Sequence, residues 1–508
     1  INIAGGDITI SGGTVKATSE GFGAGIGGGC MGAGGTVAIS GPDTTVTATG
    51  KGGSYDIGCG AGDWDGGAGT LDGGSLSVTD NAALIMNNTG TNVTDPEYRN
   101  CSITDKDGNT AHYDNKGKEV KITEEDGIKI IAGEGGEVDY TEGSGFTLSR
   151  NGAYTISGDW SGSLNANQST PKAVITVPDT VTADVTLNGV NIDVTVPYYA
   201  CAFAVEGNGA VNITLSGSNL LTSASTRAGL EVPENAEVLI EGDNDSAVLT
   251  VNGGVGIGGS VGVGNENGGS GGTVTINSGT VYATGSGAGI GGGYASKRGN
   301  GGSGGIITIN GGTVHAKGSS GAGIGGGAGG EGDGGSGGTI TINNGTVEAT
   351  GGRGAGIGGG SAPNQLRKGG DGGVIKIING RVTANGAGFN AGIGGGERGN
   401  GGDITISGGT VNATSELEGA GIGGGYSGDG GTITISGGTV DAVSKNGGAG
   451  VGGGFAGNGG TIRISGGIVT ATSKGYGAGI GGGSINIAGG DITISGGTVK
   501  IGRASCRE

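Results

Sequence analysis

Residues 430–457 read GGTITISGGTVDAVSKNGGAGVGGGFAG. Thr432-Ile433-Thr434-Ile435 alternates polar and apolar residues with period two, as a half-buried strand does. Ser436-Gly437-Gly438 turns the chain, and Thr439-Val440-Asp441-Ala442 repeats the alternation. Ala449-Gly450-Val451-Gly452 makes a third strand, with glycine at its outward positions. One repeat thus turns Ile433, Ile435, Val440, Ala442, Ala449 and Val451 toward a common interior, and no part of it has a helical period. Strands of about four residues cannot bury such a face alone. Stacked copies can, each copy pairing with the next. The pattern predicts an all-β fold, a right-handed, single-stranded parallel β-helix of three-sided coils with about 25–36 residues each.

The rest of the chain keeps this count. GAGIGGG stands at 23–29, 287–293, 321–327, 419–425 and 477–483, with near copies at 391–396 and 448–454. Ile257, Ile290, Ile324, Ile357, Ile393, Ile422, Val451 and Ile480 follow one another at 33, 34, 33, 36, 29, 29 and 29 residues. A flexible linker would not hold an apolar residue in step. GAGIGGG is therefore read as the third wall of the coil, its isoleucine inside. Burying one isoleucine stabilises by roughly 1.5–3 kcal/mol, which offsets the entropic cost of so much glycine. Glycine outside makes a thin wall open to close approach by a neighbouring loop or a flat ligand. Gly279, Gly312, Gly345, Gly380, Gly409, Gly438, Gly467 and Gly497 share one corner, where a left-handed residue is expected. Asn267, Asn300, Asp333, Asp371, Asn400, Asp429 and Asn458 mark a second corner. No helix follows the GxGxxG-like strings, so they are not a dinucleotide fingerprint.

Composition narrows the function. Glycine supplies 137 of 508 residues, about four times the usual ~7%. A Gly-X-Y period is missing, which excludes collagen, and regular alternation argues against disorder. With 26 Lys+Arg against 45 Asp+Glu, the net charge is −19. That disfavours nucleic acid and anionic membrane surfaces. No apolar run reaches the ~18 residues needed to span a bilayer, so no membrane insertion is expected. Cys30, Cys59, Cys101 and Cys201 show neither CxxC spacing nor paired histidines, which disfavours zinc. Cys30 and Cys59 stand at non-equivalent positions of neighbouring repeats, and a disulfide between them is disfavoured.

Organisation follows the texture. Residues 1–93 hold about three coils ending a first β-helix module, and glycine-poor, charged 94–144 reads as a connecting segment. A second module spans 145–500, with a cap at 145–172, glycine-poor coils at 173–260 and glycine-rich coils at 261–500. Val177, Val205 and Val232 recur at 28 and 27 residues and run on into Ile257, 25 later. The second module counts about eleven coils, some 50 Å at ~4.8 Å per coil. INIAGGDITISGGTVK at 1–16 recurs at 485–500, which fits a longer parent with tandem modules or a circularised assembly. IGRASCRE (501–508) breaks the pattern and reads as translated adapter sequence outside the fold.

Within 145–260, FTLSRNGAYTISGDWSGSL, KAVITVPDTVTADVTLNGVNID and GAVNITLSGSNLLTS…AGLEVPENAEVLIEG resemble the carbohydrate-binding domain family of bacterial surface right-handed β-helices. The resemblance covers roughly 145–484 and extends weakly to 1–93. It implies a pectate-lyase-like fold, an association with plant cell-wall polysaccharide including acidic pectic polymer, and calcium. The family's calcium ligands do not map onto this chain residue by residue.

Candidate chemistry is sparse. Catalysis on such a fold needs acids and a base projecting from adjacent coils, and the acids here are scattered. Asp63 with Asp65, and Asp243 with Asp245, are the close pairs, and both read as solvated turn acids. His112 lies in the connecting segment and His315 on an outward strand position, neither with an evident partner in the repeat frame. No nucleophilic triad is indicated, and no catalytic residue is expected, so a polysaccharide lyase or hydrolase is disfavoured. The mixed corner row offers Asp333, Asp371 and Asp429 as oxygen ligands for calcium, although Asx-Gly turn chemistry alone would place those residues there. Tyr294, Tyr426 and Phe455 each follow the GGG of their coil, where exposed rings could stack on sugars or simply shield the loop backbone. Thr-x-Thr pairs at 273/275, 339/341 and 432/434 suggest an ice-binding array, but Lys376 and Arg463 interrupt it. The expected function is a non-catalytic carbohydrate-binding β-helix at a bacterial cell surface or wall, with plant or host polysaccharide as partner. A structural stalk or adhesin repeat is the alternative.

Overall fold

The structure, a computed structural model, describes residues 5–51, 54–59, 75–79, 82–87, 91, 93, 96–98, 101–104, 110–113, 119–133, 135–165, 172–196, 199–363, 366–485 and 487–503. Among the described residues every regular element is a strand. The chain forms two compact units, one of residues 1–123 with 131–135, the other of 124–130 with 136–508.

In the second unit the alternation of residues 432–452 becomes three walls of a coil. Thr432–Ile435, Thr439–Ser444 and Val451–Gly452 are its strands. Each pairs in parallel with its counterpart one coil on, Ile433 with Ile462, Val440 with Val469 and Val451 with Ile480. Ile433, Ile435, Ala442, Ala449 and Val451 are fully buried and Val440 is 1% exposed, so the interior is the one the alternation predicts. The same pairing repeats through the glycine-rich coils, and the chain is a right-handed parallel β-helix. The first unit repeats the plan on a smaller scale. Ile8–Ile10, Thr36–Ser40 and Ser75–Thr79 pair in parallel, as do Gly13–Thr18, Thr44–Thr49 and Ala83–Met86, around buried Ile39, Val46, Ile57, Val78 and Leu84.

Glycine turns each corner. Gly279, Gly312, Gly345, Gly380, Gly409, Gly438, Gly467 and Gly497 all have φ between 74° and 95°, as their shared position requires. The third wall uses glycine for a different reason. Gly423 has φ 133°, and a Cβ built on it would lie 1.9 Å from the carbonyl oxygen of Gly452 on the next coil. Only glycine lets successive coils close at this wall.

Three expectations need correction. The row that reaches Ile257 runs through Phe146, Ile175, Phe203 and Leu230, not Val177, Val205 and Val232. Both rows face inward two residues apart, so period-two alternation cannot tell them apart. The segment 94–144 is not a plain connector. Cys101–Thr104, Thr110–Tyr113 and Glu119–Glu125 form an antiparallel meander, and Val138–Thr141 makes an antiparallel hairpin with Gly145–Leu148. Antiparallel pairing here lies outside the repeats, and the second unit begins before residue 145. Finally, strand Thr498–Arg503 carries the fold three residues into the presumed adapter; residues 504–508 lie outside the described residues, as do Asp63 and Asp65.

Candidate functional site

The corner row of Asn and Asp becomes a ladder along the second unit. The Oδ1 of Asn267 accepts the backbone N–H of Asn300 at 2.8 Å, and Asn300 that of Asp333 at 2.9 Å. Asp333 accepts from Lys368, whose longer loop displaces the next rung, and Asp371 accepts from Asn400 at 2.6 Å. Asn400, Asp429 and Asn458 continue it to Asp429, Asn458 and Ala488. The rung needs only an acceptor oxygen, and Asn and Asp both present one, so the row mixes the two freely. The bonds join neighbouring coils rather than closing the local Asx turn. Asp371 is also paired with Lys368, Nζ to Oδ1 at 2.8 Å. Among the described residues no group of three or more His, Cys, Asp or Glu side chains gathers where it could hold a metal. Asn400 separates Asp371 from Asp429 on the ladder; the second carboxylate oxygen of Asp371 accepts from Lys368 Nζ at 2.9 Å, and that of Asp429 lies outside the rung.

The glycine wall is closed by its own loops. Gly293 N–H donates to Gly269, Gly302 to Gly293, Gly327 to Gly302 and Gly335 to Gly327, and the chain of bonds continues to Gly483, each 2.7–3.1 Å long. Two glycines per coil alternate in this zipper, and Gly291–Gly293, Gly325–Gly327 and Gly423–Gly425 are buried. A neighbouring loop, not a ligand, therefore occupies the close approach that the bare wall permits.

The rings sort differently. Tyr426 and Phe455 stack nearly parallel, 7° apart with centroids 5.5 Å apart, on successive coils. Phe389, from the coil before, sets its edge against Tyr426 at 5.4 Å. The three rings are half-buried and form a ridge across three coils. The rings of Tyr426 and Phe455 stack at a centroid separation of 5.5 Å, and each of the three residues keeps part of its surface accessible. Phe455 also covers backbone, since a Cβ on Gly447 would fall 2.3 Å from its Cδ2. Tyr294 is not part of the ridge. It belongs to the coil of Ile290, and its hydroxyl donates to the Ser225 carbonyl at 3.3 Å. Phe389 escaped the sequence reading because it precedes its third-wall isoleucine instead of following the GGG.

His315 is better supplied than the repeat frame suggested. Its ring stacks on Tyr282 of the preceding coil at 4.7 Å and 6°, and its Nδ1 lies 3.0 Å from Glu348 Oε2 on the following one. Parallel register places the three side by side, Tyr282 opposite His315 and His315 opposite Glu348. Asp243 and Asp245 sit in an exposed turn, where Asn244 Nδ2 donates to Asp243 Oδ1 at 2.6 Å. Cys30, Cys59 and Cys201 form no disulfide.

No helix of the described residues is long and apolar enough to cross a membrane. No curated protein and no solved structure matches the chain. The family model described as Beta helix repeat matches residues 8–30, 274–294, 307–328, 340–361, 375–397, 404–426, 433–455 and 462–484. Each match in the second unit runs from a first-wall strand through the second wall to the glycines of the third, one coil at a time. In repeat and fold alike, the chain is a β-helix repeat protein.

Proposed function

We propose that this chain is a non-catalytic, carbohydrate-binding β-helix acting outside a bacterial cell, at its surface or wall, with plant or host polysaccharide as its partner. The observation that carries the reading is the ridge of Phe389, Tyr426 and Phe455. Partly accessible rings on successive coils suit the CH faces of successive sugars, and the coil stack holds them in place before any ligand arrives. Preorganised rings cost little ordering on binding. An acidic glycan faces a further problem, because it meets a chain of net charge −19, and salt mutes that repulsion only beyond about 8–10 Å. Bridging calcium, held by the outer oxygens of Asp333, Asp371 and Asp429 with uronate carboxylates, is the proposed remedy. Neutral glycans need none.

A structural stalk is the second reading, and the Asx and glycine ladders favour it, since both tie coil to coil without any ligand. Affinity electrophoresis of the full chain across a glycan panel separates the two. Retention by at least one polysaccharide, lost in the Tyr426→Ala, Phe455→Ala double variant, supports the binding module; migration unaffected by every glycan supports the stalk. Release of reducing ends or unsaturated uronate by the purified protein would overturn the non-catalytic half.

A further inference from the structure

A carboxylate continues the row of rings. Gly396, Gly425 and Gly454 stack on successive coils, since a Cβ on Gly425 would lie 2.0 Å from the Gly396 carbonyl oxygen and one on Gly454 1.8 Å from that of Gly425. The residues after them, Glu397, Tyr426 and Phe455, therefore line up along the coil axis at ~4.8 Å per coil. Each opens the same four-residue turn. Gly399 N–H donates to Gly396, Gly428 to Gly425 and Gly457 to Gly454, at 2.7, 2.8 and 3.0 Å. Glu397 is tied to the ridge on a second side. Its N–H donates to Asn390 Oδ1 at 2.8 Å, and the Tyr426 N–H donates at 2.8 Å to the carbonyl of Phe389, the residue beside Asn390.

The first of these turns differs from the other two. Arg398 has φ 67°, whereas Ser427 and Ala456, at the same position, keep negative φ. Positive φ at the third residue marks a type II turn and negative φ a type I turn, and the two differ by a flip of the central peptide. The Glu397 carbonyl accordingly faces the preceding coil and accepts the Gly369 N–H at 2.7 Å, while the Tyr426 carbonyl accepts the Ala456 N–H of the following coil at 2.9 Å. Ser427 N–H is the counterpart of that of Ala456 and points toward the coil of Glu397. The flip removes its acceptor, and among the described residues it has none. Ser427 is only half-buried. The second residue of the turn has φ near −60° in both turn types, so the Glu397 side chain leaves the loop where Tyr426 and Phe455 leave theirs. It is half-buried, and among the described residues its carboxylate makes no hydrogen bond. Desolvation raises its carboxyl, and neighbouring Arg398 offsets part of that.

We propose that Glu397 and the Ser427 N–H form the polar end of the ridge and bind adjacent hydroxyls of a neutral sugar whose ring lies on Tyr426. A carboxylate accepts hydroxyl protons and a backbone N–H donates to a hydroxyl oxygen, so the pair complements a diol, which offers both. A uronate carboxylate brings no proton to Glu397 and meets like charge there. The inference rests on the ridge as a glycan site and adds the class of sugar it takes.

Affinity electrophoresis of the full chain in galactan, glucomannan, xyloglucan and polygalacturonate, with chelator throughout, tests the assignment. At least one neutral polymer should retain the protein, and polygalacturonate should not. Glu397→Gln keeps the shape and removes the charge, and it should weaken neutral retention about tenfold as two hydroxyl bonds lose charge assistance. The side chain has no protein partner, so this variant leaves the fold in place. Arg398→Gly keeps the left-handed turn and should be retained as the parent is. No retention by any neutral polymer overturns the assignment together with the binding reading. Retention lost in the Tyr426→Ala, Phe455→Ala double variant but unchanged in Glu397→Gln overturns the assignment alone, as does retention by polygalacturonate in chelator.

Discussion

Gly423→Ala asks whether glycine in the third wall is structural. The added methyl meets two obstacles. At φ 133° an L side chain is strained, at roughly 1–3 kcal/mol. The methyl would also sit 1.9 Å from the Gly452 carbonyl oxygen, about 1.4 Å inside the ~3.3 Å of a close C···O contact. That oxygen belongs to backbone, so relief requires the two coils to part. Parting them weakens the bonds from Gly424 N–H to Gly452 and from Ile422 N–H to Gly450, both 3.0 Å long, at about 1 kcal/mol each. Together the expected local destabilisation is roughly 3–5 kcal/mol. Repeat proteins open locally, so amide hydrogen exchange is the fitting assay. Protection in peptides covering 419–425 and 448–454 should fall by about two to four orders of magnitude. Gly489→Ala is the control, since no atom lies within 4 Å of its added methyl, and exchange should not change. Parent-like protection in Gly423→Ala would refute the packing argument.

Asp371→Asn with Asp429→Asn keeps both ladder acceptors, as Asn400 and Asn458 do already; thermal stability should stay within about 0.5 kcal/mol, while any pectate retention that chelator abolishes should be lost and neutral-glycan retention kept. Pectate binding indifferent to chelator would defeat the calcium bridge. Asn400→Ala removes the acceptor of the Asp429 N–H and should cost about 0.5–1.5 kcal/mol, seen as faster exchange at Asp429, whereas Asn400→Asp should not. Cys201 gives a pH dependence. Its folded thiol is raised from the ordinary 9.0 to about 12, chiefly by burial, so folding holds a proton that the unfolded chain releases. The stabilisation is complete below pH 9 and declines as pH climbs toward about 12. Urea midpoints at pH 8 and 10.5 should therefore differ more in the parent than in Cys201→Ala, and equal differences would exclude Cys201 as the cause.

The coil was legible because its information is local and repeated. Ile433, Ile435, Val440, Ala442 and Val451 alternate within one repeat, and the count of residues between GAGIGGG copies supplies the stacking. The corner glycines were legible for the same reason. What escaped depends on neighbours one coil away. The Asx row looks like turn chemistry until the rung from Asn400 to Asp429 is seen to cross 29 residues. The bare glycine wall looks open until Gly425 and Gly428 are found closing over it. Phe389 with Tyr426, and His315 with Tyr282 and Glu348, find their partners only through inter-coil register, and loops of variable length erase that register from the sequence. Val232 misled because alternation fixes which side a residue faces and not how far along the strand it pairs.

The ridge itself is the most direct point of test. Fluorotyrosine placed at Tyr426 reports the environment of the central ring, with Tyr294 labelled separately as reference. On titration with a neutral oligosaccharide drawn from a retained glycan, the Tyr426 fluorine resonance should shift and saturate, and the Tyr294 resonance should stay still. A silent Tyr426 in a chain that the glycan still retains would place the sugar elsewhere and contradict the account.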